Sequence, residues 1–528
     1  MAVNKEPMTG LCRQAAENCS TETLRHFLFQ NGLRHPEKPA YQWYDETSGT
    51  VTGVSYRELM GDILALGTAF YAHGWKGRNL GIIAGTDYTW VLTFLTCVCG
   101  DMRALPLDPN LEPEELLRRL NHCGTNLALT DRRVREALLP HINTEHPSAP
   151  ESTFRFLVAD DLKALLKEGQ DLLAADDTRW PDDFVGDSQP ALMIFTSGTG
   201  GKMNAAVIRQ ENLTAERFVW KGLEADRSTC LLTLPLFHIA GIGDLRGTVL
   251  VGTTAFLSGG LRSLLRDYTC ARPVTAFMVP AQAELICSLL RGRSPEEARE
   301  MLGGNLVALR TSGAPMPENL RHQFAGWGID VTSDYGMTET CGPVSVSVMK
   351  NGRLFSKPGS VGRILDCLRV RIDNPDENGR GEVLIAGPSV FSGYLGDPAE
   401  TEAILHDGWL HTGDLGYIDE DCYLFLVGRK KNILVLSSGE NVIPEELESV
   451  ISAIPGVREC LVREENGSLA ALIYTGPAAE NQTDEDLLHK EIEQRFRGFP
   501  TYKRIRTVHL APTPLPRTAT GKLLRTGG

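Results

Sequence analysis

The sequence lacks features that mark several specialised classes of protein. Its formal net charge is -14, so it has no general excess of the basic groups with which proteins displace counterions from nucleic acids or anionic membranes. Its twelve cysteines are scattered, and Cys97 and Cys99 are separated by one residue rather than by the two expected of a zinc knuckle or redox pair. We therefore expect no nucleic-acid partner, and a reducing cytoplasm is the simplest setting for these thiols.

The sequence also lacks a hydrophobic run long enough to cross a membrane. Its most apolar stretch, Trp90 to Cys99, has about ten residues, roughly half the length that spans a bilayer, and it predicts a buried helix or strand. The segment from Met1 to Gly10 carries charge but no apolar core region, so we expect no secretory signal. The pattern predicts a cytoplasmic protein without an integral membrane segment.

What the chain does contain indicates an α/β protein with several cores. It has 528 residues, 42% hydrophobic and 23% charged, and at roughly 150 residues per domain its length suggests three or four modules. Apolar runs alternate with amphipathic segments, the pattern of parallel sheets covered by helices. Residues 353 to 396 have short apolar strands with frequent Gly, Pro and Asp, which predicts a small β-rich unit. The predicted strands are Leu80 to Ala84, Leu127 to Thr130, Ala191 to Phe195, Thr229 to Leu234, Thr253 to Leu257, Val274 to Val279 and Leu306 to Thr311.

A loop rich in glycine and hydroxyl groups follows the run that ends at Phe195, and precedes the β-prone Ala206 to Ile208. Glycine lets the backbone approach a phosphate closely, and hydroxyl and N-H groups donate to phosphate oxygens. The spacing matches neither the Walker loop, GxxxxGK[ST], nor GxGxxG. From these residues alone, a phosphate cradle and a plain flexible hairpin both stay open. The loop comprises Thr196, Ser197, Gly198, Thr199, Gly200 and Gly201.

Two further segments carry residue types that suit a nucleotide. In Tyr335-Gly336-Met337-Thr338-Glu339, a ring can stack on a purine, a hydroxyl can donate to a phosphate, and a carboxylate can hold Mg²⁺. The alternative is a polar strand-helix junction capped by Thr338. Asp414, which we expect in a tight turn after Trp409-Leu410, can accept hydrogen bonds from both ribose hydroxyls or stabilise its own turn.

The sharpest local charge signal lies at the end of the chain. From Arg495 to Gly528 there are eight Lys or Arg residues and no Asp or Glu. Such a run is usually a solvated face, but an ammonium group at Lys522 can also offset the charges of two anions that must meet. His238 lies among apolar residues in Leu234 to Gly241, where a histidine is more often a satisfied core group than a catalyst.

In their order along the chain, these segments resemble the adenylate-forming superfamily, which contains acyl-CoA synthetases, luciferases and peptide-synthetase adenylation domains. The resemblance runs from His35-Pro36-Glu37-Lys38-Pro39-Ala40 to Arg525. It implies a large N-terminal domain, residues 1–428, built of two doubly wound sheets and a β-rich subdomain. A small mobile α+β domain, residues 429–528, would follow it. The matching segments are the Thr196 loop, Tyr335 to Glu339, Thr412-Gly413-Asp414, Gly428-Arg429 and Gly521-Lys522.

The resemblance also implies roles for individual residues of the nucleotide site. Thr196 to Gly201 with Lys202 would hold the phosphates, Thr338 the α-phosphate and Glu339 the Mg²⁺. Asp414 and Arg429 would contact the ribose. The residues that would lie around the adenine are Gly313, Ala314, Pro315, Asp334, Tyr335, Gly336 and Met337.

Further roles concern the transfer step. Lys522 would be the adenylation lysine, and His238 would gate the channel for the acyl group and pantetheine. Asn432 stands at the family's hinge position, and asparagine tolerates unusual backbone angles. The segment Gly439 to Pro444 resembles a loop that faces the active site during thioester formation, which favours a CoA ligase.

The phosphate loop departs from the superfamily pattern, which usually continues Thr-Gly-x-Pro-Lys-Gly. Gly200 replaces a threonine, Met203 the proline and Asn204 the lysine, while Lys202 lies two positions early. The positive charge is preserved in space if Lys202 folds back onto the β- and γ-phosphates. If it does not, contacts with the pyrophosphate group are weaker.

The implied activity is that of an AMP-forming acid-thiol ligase that uses ATP, Mg²⁺ and CoA on a small carboxylic acid. One alternative is transfer of the acyl group from the adenylate to an amine or a carrier protein. Another is a non-catalytic homologue that binds nucleotide or acyl ligand; the altered loop favours it and the intact Glu339, Asp414, Arg429 and Lys522 oppose it. The stretch Asn432 to Ser437 favours a medium to long apolar acid, and thus a place in fatty acid metabolism.

Overall fold

The structure is a computed structural model of the 528-residue chain. It describes residues 5–142, 154–196, 203–217, 229–314, 316–350, 353–437, 439–476, 485–517 and 523–525. Three sets of predicted site residues fall elsewhere. Ser197 to Lys202 of the phosphate loop, Pro315 and Lys522 lie outside the described residues.

Within those ranges, helices occur along the whole chain. Local capping explains where several of them begin; Ser55 and Glu58 form a reciprocal capping box at the start of α3. The helices are α1 (Lys5–Glu17), α2 (Leu24–Arg34), α3 (Tyr56–Ala72), α4 (Tyr88–Val98), α5 (Pro113–His122), α6 (Arg132–Leu138), α7 (Ala159–Ala174), α8 (Gln210–Thr214), α9 (Ile239–Val251), α10 (Leu264–Ala271), α11 (Pro280–Leu289), α12 (Pro295–Met301), α13 (Glu318–Gly326), α14 (Pro398–Ile404), α15 (Pro444–Ser452) and α16 (Glu485–Arg495).

The strands range from two residues, as in β18, to ten residues in β22. They are β1 (Pro39–Asp45), β2 (Thr50–Ser55), β3 (Asn79–Ile83), β4 (Arg103–Pro106), β5 (Leu127–Thr130), β6 (Arg155–Leu157), β7 (Pro190–Phe195), β8 (Ala205–Arg209), β9 (Thr229–Leu232), β10 (Thr254–Leu257), β11 (Thr275–Met278), β12 (Ala308–Thr311), β13 (Asp330–Ser333), β14 (Tyr335–Met337), β15 (Gly342–Val346), β16 (Val348–Lys350), β17 (Arg353–Phe355), β18 (Arg363–Ile364), β19 (Arg369–Asp373), β20 (Gly381–Ala386), β21 (Leu405–His406), β22 (Trp409–Ile418), β23 (Leu424–Arg429), β24 (Leu434–Val435), β25 (Asn441–Val442), β26 (Glu459–Glu465), β27 (Ser468–Tyr474) and β28 (Ile505–Leu510).

Two sheets built largely of parallel strands form the main body. The first has the order β6-β5-β3-β4-β7-β8, with only β8 antiparallel to its neighbour. The second has the order β2-β1-β10-β9, and β9 lies beside β11 of the parallel set β11-β12-β13. In each, the chain adds strands first on one side of its starting strand and then on the other, which is the doubly wound arrangement. The predicted α/β fold is confirmed.

Each of the seven predicted strands is present, as β3, β5, β7, β9, β10, β11 and β12. The apolar stretch from Trp90 forms α4, whose residues from Trp90 to Val98 are all buried between the elements around them. Among the described residues, no helix is both long and apolar enough to cross a membrane.

The predicted β-rich unit is also present, but it extends further along the chain than residue 396. Its sheet has the order β19-β20-β22-β21, with β23 paired to the other part of β22, so it ends at Arg429. Frequent glycine and aspartate marked its first strands, whereas β22 has the alternating burial of an ordinary half-buried strand.

The last hundred residues form a separate core. The sheet β26-β27-β28 packs with α15 and α16 around a cluster that includes Leu447, Ile451, Val462, Ile473 and Ile492. This cluster is distinct from the one that unites α3, α4 and α9 in the main body. The C-terminal region therefore has its own hydrophobic core, as a domain requires.

Candidate active site

The structure brings Tyr335, Asp414 and Arg429 together, although 94 positions separate the first from the last. The hydroxyl of Tyr335 donates a hydrogen bond of 2.6 Å to Oδ2 of Asp414. The guanidinium Nε of Arg429 lies 2.7 Å from the other oxygen, Oδ1. Asp414 is buried while the Arg429 side chain is 38% exposed. The three side chains form a polar triad that reaches solvent at Arg429.

Sheet pairing explains how two members of this triad, Asp414 and Arg429, come together. Asp414 lies on β22 directly opposite Arg429 on β23, so the ladder itself sets their side chains side by side. Tyr335 comes from β14, in a different sheet. Burial, and then the Asp414 carboxylate, raise the pKa of Tyr335 well above its ordinary value, so the phenol stays protonated and acts as donor.

The local structure at Asp414 differs from the predicted tight turn. Thr412, Gly413 and Asp414 lie inside the long strand β22, where the register with β20 shifts. The backbone φ of Gly413 is 69°, a left-handed value that glycine adopts without a side-chain penalty. The result is a β-bulge, which re-aims side chains within a strand. A two-residue shift of register cannot be read from a TGD triplet alone.

Gly336 is required for a reason that the sequence did not indicate. A Cβ atom at this position would lie 2.1 Å from the carbonyl oxygen of Gly342 on β15. The two backbones therefore approach more closely than any side chain allows, as β14 pairs with β15. Gly336 therefore allows β14, in which it lies between Tyr335 and Met337, to pair closely with β15.

Thr338 and Glu339 lie on a short 3₁₀ turn, Thr338–Thr340, directly after β14. Thr340 closes this turn: its hydroxyl contacts the carbonyls of Met337 and Gly342, at 3.0 and 2.7 Å. The junction that the sequence left open thus exists, but Thr340 rather than Thr338 stabilises it. Thr338 keeps a partly exposed side chain.

Glu339 is buried and held by a residue that the sequence analysis missed. The hydroxyl of Tyr394 donates a 2.6 Å hydrogen bond to Oε1 of Glu339, and burial together with this carboxylate raises the pKa of the phenol. The backbone N-H of Phe391 donates to the Glu339 carbonyl at 2.8 Å. The only sequence signal for Tyr394 is an aromatic residue after a glycine in a turn-rich segment.

The same segment links Glu339 to the base of the glycine-rich loop. Leu395 donates its N-H to Ala205 at 2.8 Å, and Val207 donates to Gly393 at 3.0 Å, so this segment pairs with β8. At the other end of the loop, Thr196 donates its N-H to Asn204 at 3.0 Å. The described ends of the loop therefore form a β7-β8 hairpin base next to Tyr394.

The residues around Gly313 and Asp334 follow two neighbouring strands. Gly313 and Ala314 come after β12, and Asp334 follows β13; the N-H of Asp334 donates to Thr311 at 2.8 Å. The carboxyl ends of parallel strands meet at one sheet edge, and this edge leads directly to Tyr335. Gly313 has φ 83° and open space at its Cβ position.

Asp334 has an internal role that the sequence did not predict. Its Oδ2 accepts hydrogen bonds from Nε and Nη2 of Arg310, at 2.8 and 2.6 Å. Its Oδ1 accepts from the N-H and hydroxyl of Ser347, at 3.0 and 3.2 Å. Both oxygens are thus engaged within the protein. The predicted contact of Asp334 with a base edge stays a prediction.

His238 caps the N-terminus of α9. Its ring Nδ1 accepts a 3.2 Å hydrogen bond from the N-H of Ala240, and its backbone has extended angles. The helix that it starts carries Arg246, which forms a fully buried ion pair with Glu216 and donates to the Cys341 thiol at 3.2 Å. The middle of α9 is therefore connected to Cys341, the residue that follows the Thr338–Thr340 turn.

The C-terminal region meets the main body near Arg429. The Asn432 side-chain amide donates a 2.6 Å hydrogen bond to Glu445 on α15. Gly439 has φ 95° in the exposed loop that joins β24 to β25. Glu284 on α11 has its pKa raised by burial, an effect that Arg517 opposes. Arg517 itself pairs with Glu459 at 2.7 Å. A part of the basic tail thus faces an acidic group of the main body.

No group of three or more metal-ligating side chains occurs among the described residues. Near the base of the glycine-rich loop the described residues offer one buried carboxylate, Glu339, rather than a protein cage. That arrangement suits Mg²⁺, which keeps several waters and is held by one or two carboxylates together with substrate phosphates.

Comparison with known families and proteins supports the adenylate-forming resemblance. The family model described as AMP-binding enzyme matches residues 28–395, and the one described as AMP-binding enzyme C-terminal domain matches residues 431–527. Feruloyl-CoA synthase of Amycolatopsis sp is 28% identical over 493 residues, covering 90% of this chain and 93% of that protein. The long-chain-fatty-acid–CoA ligase FadD13 of Mycobacterium tuberculosis is 30% identical over 512 residues, covering 92% and 95%.

A solved structure agrees with these relatives. The o-succinylbenzoate CoA synthetase MenE of Bacillus subtilis, in complex with the acyl-adenylate intermediate OSB-AMP, superposes with a TM-score of 0.74 at 25% identity. The match covers 94% of this chain and 96% of that one. The agreement extends over both the main body and the C-terminal region, and the chain belongs to the AMP-binding enzyme family.

Proposed function

We propose that this protein is an AMP-forming acid-thiol ligase. In the first step, a carboxylate oxygen of the acid attacks the α-phosphorus of ATP, and pyrophosphate leaves. In the second, the thiolate sulfur of CoA attacks the acyl carbon of the mixed anhydride, and AMP leaves. Neither step needs a protein nucleophile, because binding, orientation and charge stabilisation can supply the rate.

The observation that carries the proposal is the triad of Tyr335, Asp414 and Arg429. Asp414 accepts one hydrogen bond on each oxygen, and a carboxylate has about four lone-pair sites. It keeps acceptor capacity for the two hydroxyls of a ribose. Arg429 adds a partly exposed donor at the same place, and the Tyr335 ring supplies a flat apolar surface at which a purine can stack.

Glu339 is the residue that we propose to hold Mg²⁺, directly or through water, with Thr338 near the α-phosphate. The hydrogen bond from Tyr394 fixes one oxygen and leaves the other for the ion. When bound, Mg²⁺ would neutralise charge on the phosphates. The hairpin base at Thr196 supports a phosphate role for the loop, and Lys202 is proposed as its cation.

We place the boundary between the domains at residues 428 and 429, with Asn432 as hinge residue and Lys522 as the adenylation lysine. The hydrogen bond between Asn432 and Glu445 lies within the small domain, whereas Arg380 of the main body lies 3.5 Å from Glu446 on α15, a partly exposed contact of the type that can break when the small domain rotates. Leu523 forms a bridge with Arg517, and Arg525 pairs with Glu448 at 2.5 Å. These contacts attach Arg525 to the C-terminal core and pair Arg517 with Leu523, the described residues on either side of Lys522.

The acceptor is proposed to be CoA, as it is in the names of the relatives above. The same triad and the same carboxylate would serve an enzyme that passes the acyl group to an amine or a carrier protein, so the product distinguishes these functions. We propose a cytoplasmic location. In the structure all twelve cysteines are free thiols, as expected of a reducing compartment.

The test is release of pyrophosphate from MgATP across a panel of carboxylic acids, with and without CoA, and with products identified by mass. Acid-dependent release with an acyl-CoA product is expected. A product that ends at acyl-AMP or an amide would support the alternative acceptor. No release with any acid would contradict the enzymatic proposal and favour a homologue that only binds.

Two lysine variants separate the half-reactions. Lys522→Ala should slow acyl-AMP formation by about 10² to 10³, while CoA still reacts at a nearly normal rate with acyl-AMP that is supplied. An equal loss in both steps would contradict its role. If Lys202→Ala leaves pyrophosphate release unchanged, Lys202 does not replace the usual lysine of the loop.

A further inference from the structure

A fully buried ion pair lies next to the residues that follow the Thr338–Thr340 turn. It joins Glu216, just after α8, to Arg246 in α9, and the side chains of both have no exposed surface. Apart from Arg246, no described residue makes a hydrogen bond to either oxygen of Glu216. The two charges therefore lie inside the main body, and the proposed reaction makes no use of them.

Stability alone does not account for such a pair. Two charges lose their hydration on burial, and their attraction offsets this loss only when further hydrogen bonds satisfy the remaining atoms. Among the described residues, Nε of Arg246 and the second oxygen of Glu216 have no such bonds. Replacing a buried pair by apolar side chains of similar volume is often neutral or stabilising. The pair therefore points to a requirement other than stability.

The remaining nitrogen of Arg246, Nη1, makes three directed contacts. It lies 3.3 Å and 3.2 Å from the carbonyl oxygens of Asn212 and Leu213 in α8, and 3.2 Å from the thiol sulfur of Cys341. A planar guanidinium fixes the directions of its donors, which the ammonium group of a lysine does not. Arg246 thus sets the position of Cys341 relative to α8.

The pair also packs against Gly342, the first residue of β15. A Cβ atom at this position would lie 2.6 Å from Nη2 of Arg246 and 3.1 Å from Oε1 of Glu216. The charged groups therefore occupy the space that another side chain would fill. The carbonyl oxygen of Gly342 accepts the 2.7 Å hydrogen bond from the Thr340 hydroxyl that closes the turn. A shift of the pair would therefore reach the turn directly.

A second connection reaches Glu339 through Asn212. The backbone carbonyl of Asn212 accepts from Arg246, and its side-chain amide donates to the carbonyl of Val390 at 3.0 Å. The next residue, Phe391, donates its N-H to the carbonyl of Glu339 at 2.8 Å. Glu339 is thus connected to Arg246 along two separate routes, one on each side of the turn.

We propose that Glu216 and Arg246 are a positioning pair that holds Glu339 in the geometry required for Mg²⁺. This inference rests on the proposed function for the role of Glu339. The pair acts through the Thr338–Thr340 turn and does not touch the nucleotide. Its charged groups make directed contacts, whereas apolar side chains of the same volume can fill a core but specify a single arrangement less strictly.

The test removes both charges and keeps the volume, in the full-length variant Glu216→Leu/Arg246→Met. Because neither charge is left unpaired, the free energy of unfolding should equal or exceed that of the wild type. The Mg²⁺ concentration for half-maximal pyrophosphate release should rise by about 10-fold, and kcat/KM for ATP should fall by a similar factor. An unchanged Mg²⁺ requirement in the folded double variant would overturn the proposal.

Arg246→Lys provides a second variant that keeps the charge opposite Glu216. The lysine cannot reproduce the planar set of donors, so the protein should fold and its Mg²⁺ requirement should lie between those of the wild type and the double variant. A wild-type requirement would show that the directed contacts do not position the turn. Transfer from supplied acyl-AMP to CoA uses no MgATP and should stay close to the wild-type rate in both variants. An equal loss in that step would indicate a structural role alone.

Arg25→Met is the matched control for the loss of a buried guanidinium. Arg25 is also fully buried, but it donates to the carbonyl oxygens of Ala15 and Pro181, at 2.7 and 2.8 Å, in the N-terminal part of the main body. Its loss should lower stability, because these acceptors are left unpaired, and the Mg²⁺ requirement should not change. A rise as large as that in the double variant would contradict a specific role for the pair.

Binding of ATP keeps this inference separate from the proposed reaction. ATP is titrated calorimetrically into the wild type and the double variant without any acid, once with Mg²⁺ and once with EDTA. If the gain in affinity from Mg²⁺ is about 10-fold smaller in the double variant, the positioning role is supported even when no acid releases pyrophosphate, a result that contradicts only the reaction. Equal gains, together with pyrophosphate release, would leave the ligase standing and remove the role of the pair. No gain in the wild type would contradict both.

Discussion

Buried carboxylates have different surroundings in the proposed nucleotide site and in the α9 cavity, the small cavity between α9 and the second sheet that is lined by Asp244, Cys230 and Arg310. In the nucleotide site each carboxylate has a partner: Asp414 has Tyr335 and Arg429, and Glu339 has Tyr394. In the cavity, Asp244 has none among the described residues. The cost of burying a charge falls sharply when it is hydrogen-bonded. The difference indicates that the protein itself holds the first set in place, whereas an ionised Asp244 carries a cost of burial that no hydrogen bond from a described residue offsets.

The two regions also differ in how their residues come together. Asp414 and Arg429 are set opposite each other by strand pairing. Asp244 and Arg310 face each other across a helix and a sheet, without any shared ladder. Removing one member of a hydrogen-bonded pair should lower activity, whereas removing the charge of an unpaired buried carboxylate should raise stability. Four expected outcomes follow from that contrast.

The largest effect is expected where the paired region is broken at its centre. Asp414→Ala removes the acceptor of two hydrogen bonds and leaves the phenol and the guanidinium without their partner, so kcat/KM for ATP should fall by about 100-fold or more. The preference among acids should not change. Asp366→Ala, at an exposed aspartate near the same β-rich unit, is the control and should retain wild-type kinetics.

Next in size is the relief of the unpaired carboxylate by Asp244→Asn. Between the unfolded pKa near 3.8 and the folded pKa of about 7, the folded state binds more protons, so wild-type stability falls as the pH rises through this window. The amide does not ionise. The variant should therefore be more stable than wild type by about 2 kcal/mol at pH 8, with little difference at pH 4.

Denaturant unfolding at several pH values measures this difference. The groups that face Asp244 are Arg310, Asp334, Cys230 and Tyr268, and none of them changes in the variant. A stability difference that is the same at pH 4 and pH 8 would show that Asp244 is not ionised at a cost in the folded protein.

A smaller effect is expected when a partner of the paired region is removed but the carboxylate stays. Tyr394→Phe deletes the donor to Glu339 while keeping the ring, and the rate should fall by about 10-fold. If Tyr394 positions Glu339 for Mg²⁺, the concentration of Mg²⁺ needed for half-maximal rate should rise as well. A loss of rate with unchanged Mg²⁺ dependence would mean that the hydroxyl contributes to folding alone.

The smallest effect is expected for Tyr335→Phe. The ring, and with it the proposed stacking surface, is retained, and Arg429 continues to hold Asp414. The KM for ATP should rise by about 3- to 10-fold, the value of one hydrogen bond to a charged acceptor. Tyr335→Ala, which also removes the ring, is the comparison and should be clearly worse. Equal effects of the two variants would mean that the ring contributes nothing to nucleotide binding.

Much of the fold could be predicted because the signals were local. Seven apolar runs bounded by polar residues became seven strands, and alternation with amphipathic segments gave the α/β class. The bulge at Gly413 could not be predicted, since it arises from a register shift between β20 and β22. Nor could the pairing of Asp334 with Arg310, because it depends on which two strands become neighbours.

The residues of the candidate site also fall into those that the sequence could predict and those that it could not. Tyr335, Glu339, Asp414 and Arg429 were predicted because their residue types and order resemble a family. The structure places Tyr335, Asp414 and Arg429 in contact, and the role of the set stays a prediction. Tyr394 was missed, since its role depends on the pairing of its segment with β8. Thr340 was missed because the closing hydrogen bonds of a 3₁₀ turn leave no pattern in the sequence.

The sequence by itself determined the fold class and the family and supplied the candidate residues of the nucleotide site, because these depend on residue type, spacing and order along the chain. Only the tertiary structure decided which buried carboxylates have partners. Whether a carboxylate is paired depends on groups brought close from distant positions, as Tyr335 is to Asp414 and Arg310 is to Asp334. Burial then determines how strongly the presence or absence of each partner affects the free energy of folding.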